Sequence, residues 1–129
     1  MNGRYVLDTN IVIALIDEEP SVLARIAVAD ETLIPIVVLG ELFYGANCSR
    51  RSAANVAKVE ALAQSHTIVD LDLETARQYG IIKSELRRKG TPIPNNDIWI
   101  AALTQQYDAT VATRDQHFDA VEHLEVVRW

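Results

Sequence analysis

The stretch Arg4-Tyr5-Val6-Leu7-Asp8-Thr9-Asn10-Ile11-Val12-Ile13-Ala14-Leu15-Ile16 decides the fold. Arg4 to Leu7 reads as a short buried strand, and Asp8-Thr9-Asn10 leads at once into the apolar run Ile11 to Ile16. Asp8 thus stands where a strand ends and a helix begins. Outward from there the alternation repeats. Ser21 starts a second helix with Leu23, Ile26 and Ala27 on its apolar face, Leu33-Ile34 is a second strand, and Val37 to Ala46 is a short helix containing Glu41. Ser52 to Gln64 carries Val56, Val59 and Ala63 at helical spacing and pairs with the helix before it as a hairpin. Thr67-Ile68-Val69 is a third strand. Asp72 caps a long helix whose apolar positions Leu73, Ala76, Tyr79, Ile82 and Leu86 recur every three or four residues, and Gly90 ends it. Pro92 and Pro94 each push the residue before them out of helical conformation, so Thr91 to Pro94 is a loop. Asn95 or Asn96 then caps a helix from Asp97 to about Tyr107, with strands following at Thr110 to Ala112 and Leu124 to Val127. This order specifies an α/β protein, a mostly parallel central sheet of about five strands flanked by helices. With no linker, repeat or low-complexity segment, residues 1–129 are expected to form one domain.

The composition agrees, with 49% apolar and 23% charged residues, close to the soluble average. The longest apolar runs, Ile11 to Ile16 and Ile34 to Leu39, fall far short of the roughly 18 to 20 residues that span a membrane. Met1-Asn2-Gly3-Arg4-Tyr5 shows no basic segment followed by a cleavable apolar core, and the single cysteine, Cys48, cannot form an internal disulfide. A cytoplasmic protein is expected. Cys48 has no histidine or acid near it in sequence and is not read as a nucleophile. The net charge of −6 stands against a nucleic-acid partner.

The acids themselves change that reading. Asp8 and Asp115 each follow an apolar strand, at the carboxyl ends where parallel α/β sheets place ligand-binding groups. A helix from Asp97 climbs roughly 15 Å by Tyr107 at about 1.5 Å per residue, and the next strand returns about 3.3 Å per residue. Asp115 therefore comes back to the level of Asp97, on the edge where Asp8 emerges. Glu41 sits among Val37, Val38, Leu39, Leu42, Phe43 and Tyr44, where a carboxylate without a partner is costly. Carboxylates gathered at one point repel unless protonated or neutralised by a cation. Hard oxygen ligands suit Mg²⁺ or Mn²⁺, ions that also take up the phosphate oxygens of a substrate. The expected chemistry is phosphodiester hydrolysis by a metal-activated water, leaving a 5′-phosphate and a 3′-hydroxyl. Two bound divalent cations would bring the formal charge from −6 to about −2, so RNA affinity should depend on metal.

Four segments carry a resemblance: Val6-Leu7-Asp8-Thr9-Asn10, then Gly40-Glu41-Leu42-Phe43-Tyr44-Gly45-Ala46, then Gly90 to Ala102 through Pro94-Asn95-Asn96-Asp97, and Ala112-Thr113-Arg114-Asp115-Gln116-His117-Phe118. In this order and spacing the chain resembles the PIN-domain ribonucleases, and among them the VapC toxins of toxin-antitoxin systems. The resemblance implies that Asp8, Glu41, Asp97 and Asp115 are the acidic site residues, with Asp8 and Asp97 the usual Mg²⁺ ligands. It places Thr113 where a hydroxyl helps to hold the cluster. It also implies an RNA substrate, a homodimer, and a cognate antitoxin whose C-terminal segment lies across the active-site groove.

Other features read more plainly. Arg50-Arg51 and Arg87-Arg88-Lys89 are either RNA-contacting clusters or solvated faces, the latter also complementing a helix C-terminus. Asn96 is a cap or a hydrogen-bond donor to the site. His66, His117 and His123 lack zinc spacing, and His117 is expected to pack or cap. Trp99 and Tyr107 are expected in the core, and Trp129 over the last strand or a dimer surface. Two alternatives remain: a phospho-acceptor receiver-like domain, although Asp8 is followed by Thr9-Asn10 where a receiver wants an acidic pair, and a catalytically silent RNA-binding domain.

Overall fold

The computed structural model describes residues 3–129; Met1 and Asn2, part of the N-terminal segment read above, lie outside the described residues. The chain runs β1(Arg4–Leu7), α1(Thr9–Ile16), α2(Pro20–Val28), β2(Glu31–Pro35), α3(Ile36–Asn47), α4(Ser52–Ser65), β3(Thr67–Val69), α5(Leu73–Lys89), α6(Asn95–Gln106), β4(Thr110–Thr113) and β5(Val126–Arg128), with a 3₁₀ turn at His117–Ala120. The five strands form one sheet in the order β3-β2-β1-β4-β5, and every pairing is parallel. The order reverses at β1, which lies between β2 and β4. Ligands of open α/β sheets bind outside the strand ends at such a switch point, here the ends of β1 and β4.

The sheet centre is dry. Val6, Leu7, Val111 and Ala112 are fully buried, as parallel strands covered on both faces require. Ile11, Val12, Val22, Val38, Ile100, Leu103 and Phe118 close over them from the helices and the 3₁₀ turn. Among the described residues no helix is long and apolar enough to cross a membrane.

Several local expectations shift. Helix α2 begins at Pro20, whose missing N–H suits a first helical position, and Glu19 rather than Ser21 precedes it. Its buried residue is Val22, with Ile26 half-buried, while Leu23 and Ala27 face outward. On α5, Leu73 and Ala76 are exposed and the inward stripe is Thr75, Tyr79, Ile82 and Leu86. Thr75 can be buried because its hydroxyl closes a reciprocal capping box with Asp72 and also reaches Gln106. Gly90 ends α5 in the left-handed region at φ 69°, as expected of that glycine. Helix α6 begins at Asn95 with Pro94 as its cap, so neither asparagine caps it through a side chain. Strand β5 starts at Val126, two residues after the expected Leu124. Trp99 stacks on Tyr79 with ring centroids 3.9 Å apart, and Trp129, directly after β5, packs on Tyr5 of the central strand β1.

Candidate active site

Strand register builds the first half of the site. Leu7 pairs with Ala112, so the next residues, Asp8 and Thr113, emerge side by side from β1 and β4. The Thr113 hydroxyl, fully buried, donates to Asp8 Oδ2 at 2.7 Å, and the Asp115 amide donates back to that hydroxyl at 2.9 Å. Asp8 also caps α1, its Oδ1 accepting from Thr9 N at 2.8 Å. Burial nonetheless holds the Asp8 carboxyl above the usual carboxylate range, against the lowering effect of Thr113 and Thr9, with Asp115 adding repulsion.

The second half comes from α6 and the turn after β4. Asp97 lies in the first turn of α6, and burial raises its pKa, with the charges of Asp8 and Asp115 adding to the rise. Asp115 closes the 3₁₀ turn by accepting from His117 N at 2.9 Å, which folds the imidazole back over both acids. His117 Nδ1 is 2.8 Å from Asp97 Oδ2 and 3.2 Å from Asp115 Oδ1. The hydrogen bond that His117 donates to Asp97 is the largest influence raising the His117 pKa. Sequence reasoning missed this residue, expecting it to pack or cap. Its ring is half exposed. Its position two residues after Asp115 was the only available signal.

Glu41 reaches the same place from α3. Val38, Leu39 and Leu42 around it are buried in the core, whereas Glu41 is half-buried and faces the cluster. Burial first, then the charges of Asp8 and Asp97, raise its pKa, and the Thr9 hydroxyl and Asn96 side chain beside it oppose the rise. Asn96 lies beside Glu41 in the same groove and does not cap the helix through its side chain. Asp8 and Asp97 thus feel both Glu41 and Asp115, and Thr113 ties Asp8 to Asp115. The donor atoms that fall within 4.8 Å of one another come from Asp97, Asp115 and His117, with Asp8 and Glu41 outside that group.

The donor set fits a hard divalent cation. It offers carboxylate oxygens that burial and mutual repulsion hold in an unfavourable charged state. Among the described residues no lysine or arginine forms an ion pair with any of the four acids. The rim is tied down separately: Arg114 joins Glu19, Asn10 and the Trp129 carbonyl.

Two outcomes follow from this geometry. Replacing Thr113 by Val, which keeps the shape but leaves Asp8 without that donor, is expected to cost about 1.5–3 kcal/mol in urea denaturation at pH 7, while Thr113→Ser keeps most of the stability. The second concerns pH in the presence of a chelator. Because the folded-state pKa of Asp97 lies above its ordinary 3.8, wild type holds the associated stability below that value and loses it as pH rises through the folded-state value. Asp97→Asn cannot ionise, so its thermal midpoint should gain on wild type between pH 4 and pH 7; an unchanged difference across that range contradicts the assignment.

The sequence matches the PIN domain family over residues 5–124. Ribonuclease VapC2 of Haemophilus influenzae is 33% identical over 129 residues, with 98% of each chain covered. The tRNA(fMet)-specific endonuclease VapC of Shigella flexneri is 32% identical with the same coverage. Of solved structures, DNA-bound VapBC from Salmonella typhimurium matches with a TM-score of 0.90 at 30% identity, over 98% of both chains. This likeness leaves the receiver-like alternative without support. The chain belongs to the PIN-domain family and, within it, to the VapC ribonucleases.

Proposed function

We propose that residues 1–129 act as one nuclease domain that hydrolyses RNA phosphodiester bonds with a divalent cation, Mg²⁺ or Mn²⁺, held by Asp8, Glu41, Asp97 and Asp115. The observation that carries this reading is the convergence of four carboxylates from β1, α3, α6 and the end of β4 on one switch point, with no lysine or arginine among the described residues paired to them. Such a cation supplies the missing positive charge and lowers the pKa of water enough for attack on phosphorus. The protein's part is positional. Thr113 fixes Asp8 and Asp115 relative to each other, and Asn96 lines the groove beside Glu41. Glu41, whose pKa is raised by its half-buried setting, is placed to take a proton from the attacking water. The P–O3′ bond then breaks, leaving a 5′-phosphate and a 3′-hydroxyl. The presence of all four acids favours this over a silent RNA-binding domain.

The biological reading follows the relatives. The Shigella relative is named for initiator tRNA, which makes tRNA the first substrate to try. The Salmonella structure is a DNA-bound VapBC, and VapBC-5 of Mycobacterium tuberculosis is described as a member of the VapBC family of toxin-antitoxin systems, which supports a cognate antitoxin lying across this groove. A cytoplasmic homodimer completes the proposal. Arg50, Arg51, Arg87 and Arg88 form no ion pairs among the described residues and are free to meet RNA phosphates; Lys89 is held by the Ala120 carbonyl and Glu122.

Purified protein should cleave tRNA with Mg²⁺ or Mn²⁺ and stop on addition of EDTA. Asp8→Asn should lose at least about 100-fold in rate. Products ending in a 2′,3′-cyclic phosphate, or cleavage at full rate in EDTA, would contradict the mechanism.

A further inference from the structure

The imidazole of His117 is the feature of this site that a purely carboxylate centre does not explain. It is not in the core, since its side chain is 48% exposed, and its ring makes no hydrogen bond to any other described residue than the two acids. Its placement is imposed by the backbone. Asp115 accepts from His117 N, which tightens the 3₁₀ turn, and Phe118, the next residue, is fully buried and anchors that turn to the core. The ring is therefore carried back over Asp97 and Asp115 rather than left to sample solvent.

The spacing matters more than the proximity. Two ligands at right angles around an octahedral ion, each about 2.1 Å from it, lie about 3 Å apart. His117 Nδ1 is 2.8 Å from Asp97 Oδ2 and 3.2 Å from Asp115 Oδ1, distances that bracket that value. The three donor atoms all lie within 4.8 Å of one another. A shared proton accounts for the contact in the absence of metal, and a cation entering the site takes that proton's place with the ligands already in position.

We infer that His117 is itself a ligand of the cation, so that the centre is bound by mixed oxygen and nitrogen donors and prefers Mn²⁺ to Mg²⁺. The preference follows from ligand chemistry. Mg²⁺ is a hard ion that takes oxygen almost to the exclusion of nitrogen, whereas imidazole is a good ligand for first-row transition ions. The inference rests on the nuclease reading of the same site but adds a nitrogen ligand and a metal preference to it.

Pulsed electron paramagnetic resonance on the full-length protein loaded with Mn²⁺ decides the matter without reference to activity. Directly bound ¹⁴N should appear as nitrogen modulation in the wild-type spectrum and vanish in His117→Gln, a change at a half-exposed ring that leaves the core intact. Competition titrations of Mg²⁺ against bound Mn²⁺ should show the Mn²⁺ preference falling about 10-fold or more in the variant. Mn²⁺ bound with no nitrogen modulation in wild type, or an unchanged preference in His117→Gln, overturns the ligand assignment while leaving the carboxylate site standing. Failure of Mn²⁺ to bind at all overturns both.

Discussion

The hydrogen bond from the buried Thr113 hydroxyl to Asp8 is the contact on which the rest of the site depends. Parallel pairing of β1 with β4 sets residues 8 and 113 side by side, and a single hydroxyl oxygen then serves both sides, donating to Asp8 and accepting from the Asp115 amide. The ends of two strands and two acids are thereby fixed to one atom. The strands themselves cannot shift, because Val6, Leu7, Val111 and Ala112 beneath them are fully buried in a close-packed layer. The first turn of α6 brings Asp97 to the same point, and α3 brings Glu41.

This arrangement works against stability in the absence of a cation. Asp8, Glu41 and Asp97 all have raised pKa values, with burial the leading cause in each. The cations that form ion pairs among the described residues do so away from the acids, Arg4 with Glu31, Arg77 with Glu74, Arg114 with Glu19, Arg128 with Asp119 and Lys89 with Glu122. Among the described residues His117 alone pairs with the acids, and one half-exposed imidazole is a modest counter-charge. A site that is destabilised when empty and relieved by an ion is what a metal-dependent centre requires, and it is a common place for a protein to give up stability. On the proposed reading, the net charge of −6 reflects, in part, a cluster neutralised by the cation.

Much of this was legible in the sequence, and the parts that were not share a physical cause. The alternation of short apolar runs with helical periodicity was enough to give the parallel sheet, and rise per residue was enough to bring Asp115 back to Asp97. Glu41 could not be placed that way, because its position depends on strand order and on the path of α3. Hydropathy put Leu73 and Ala76 on the inner face of α5, but the buried position is Thr75, a polar residue made comfortable by Asp72 and Gln106. Pro94, not an asparagine, caps α6, since an extended ψ of 145° before the helix suits proline. His117 was invisible for a similar reason. Its direction is set by a turn that closes only once Asp115 accepts from its amide.

Anomalous diffraction from crystals of the protein grown with Mn²⁺, measured across the manganese edge, tests the central claim most directly. A strong peak bounded by Asp8, Asp97 and Asp115 is expected, and it should be lost in Asp97→Asn crystals. Crystals that carry manganese only at other surface acids, with these carboxylates free of it, would contradict the account.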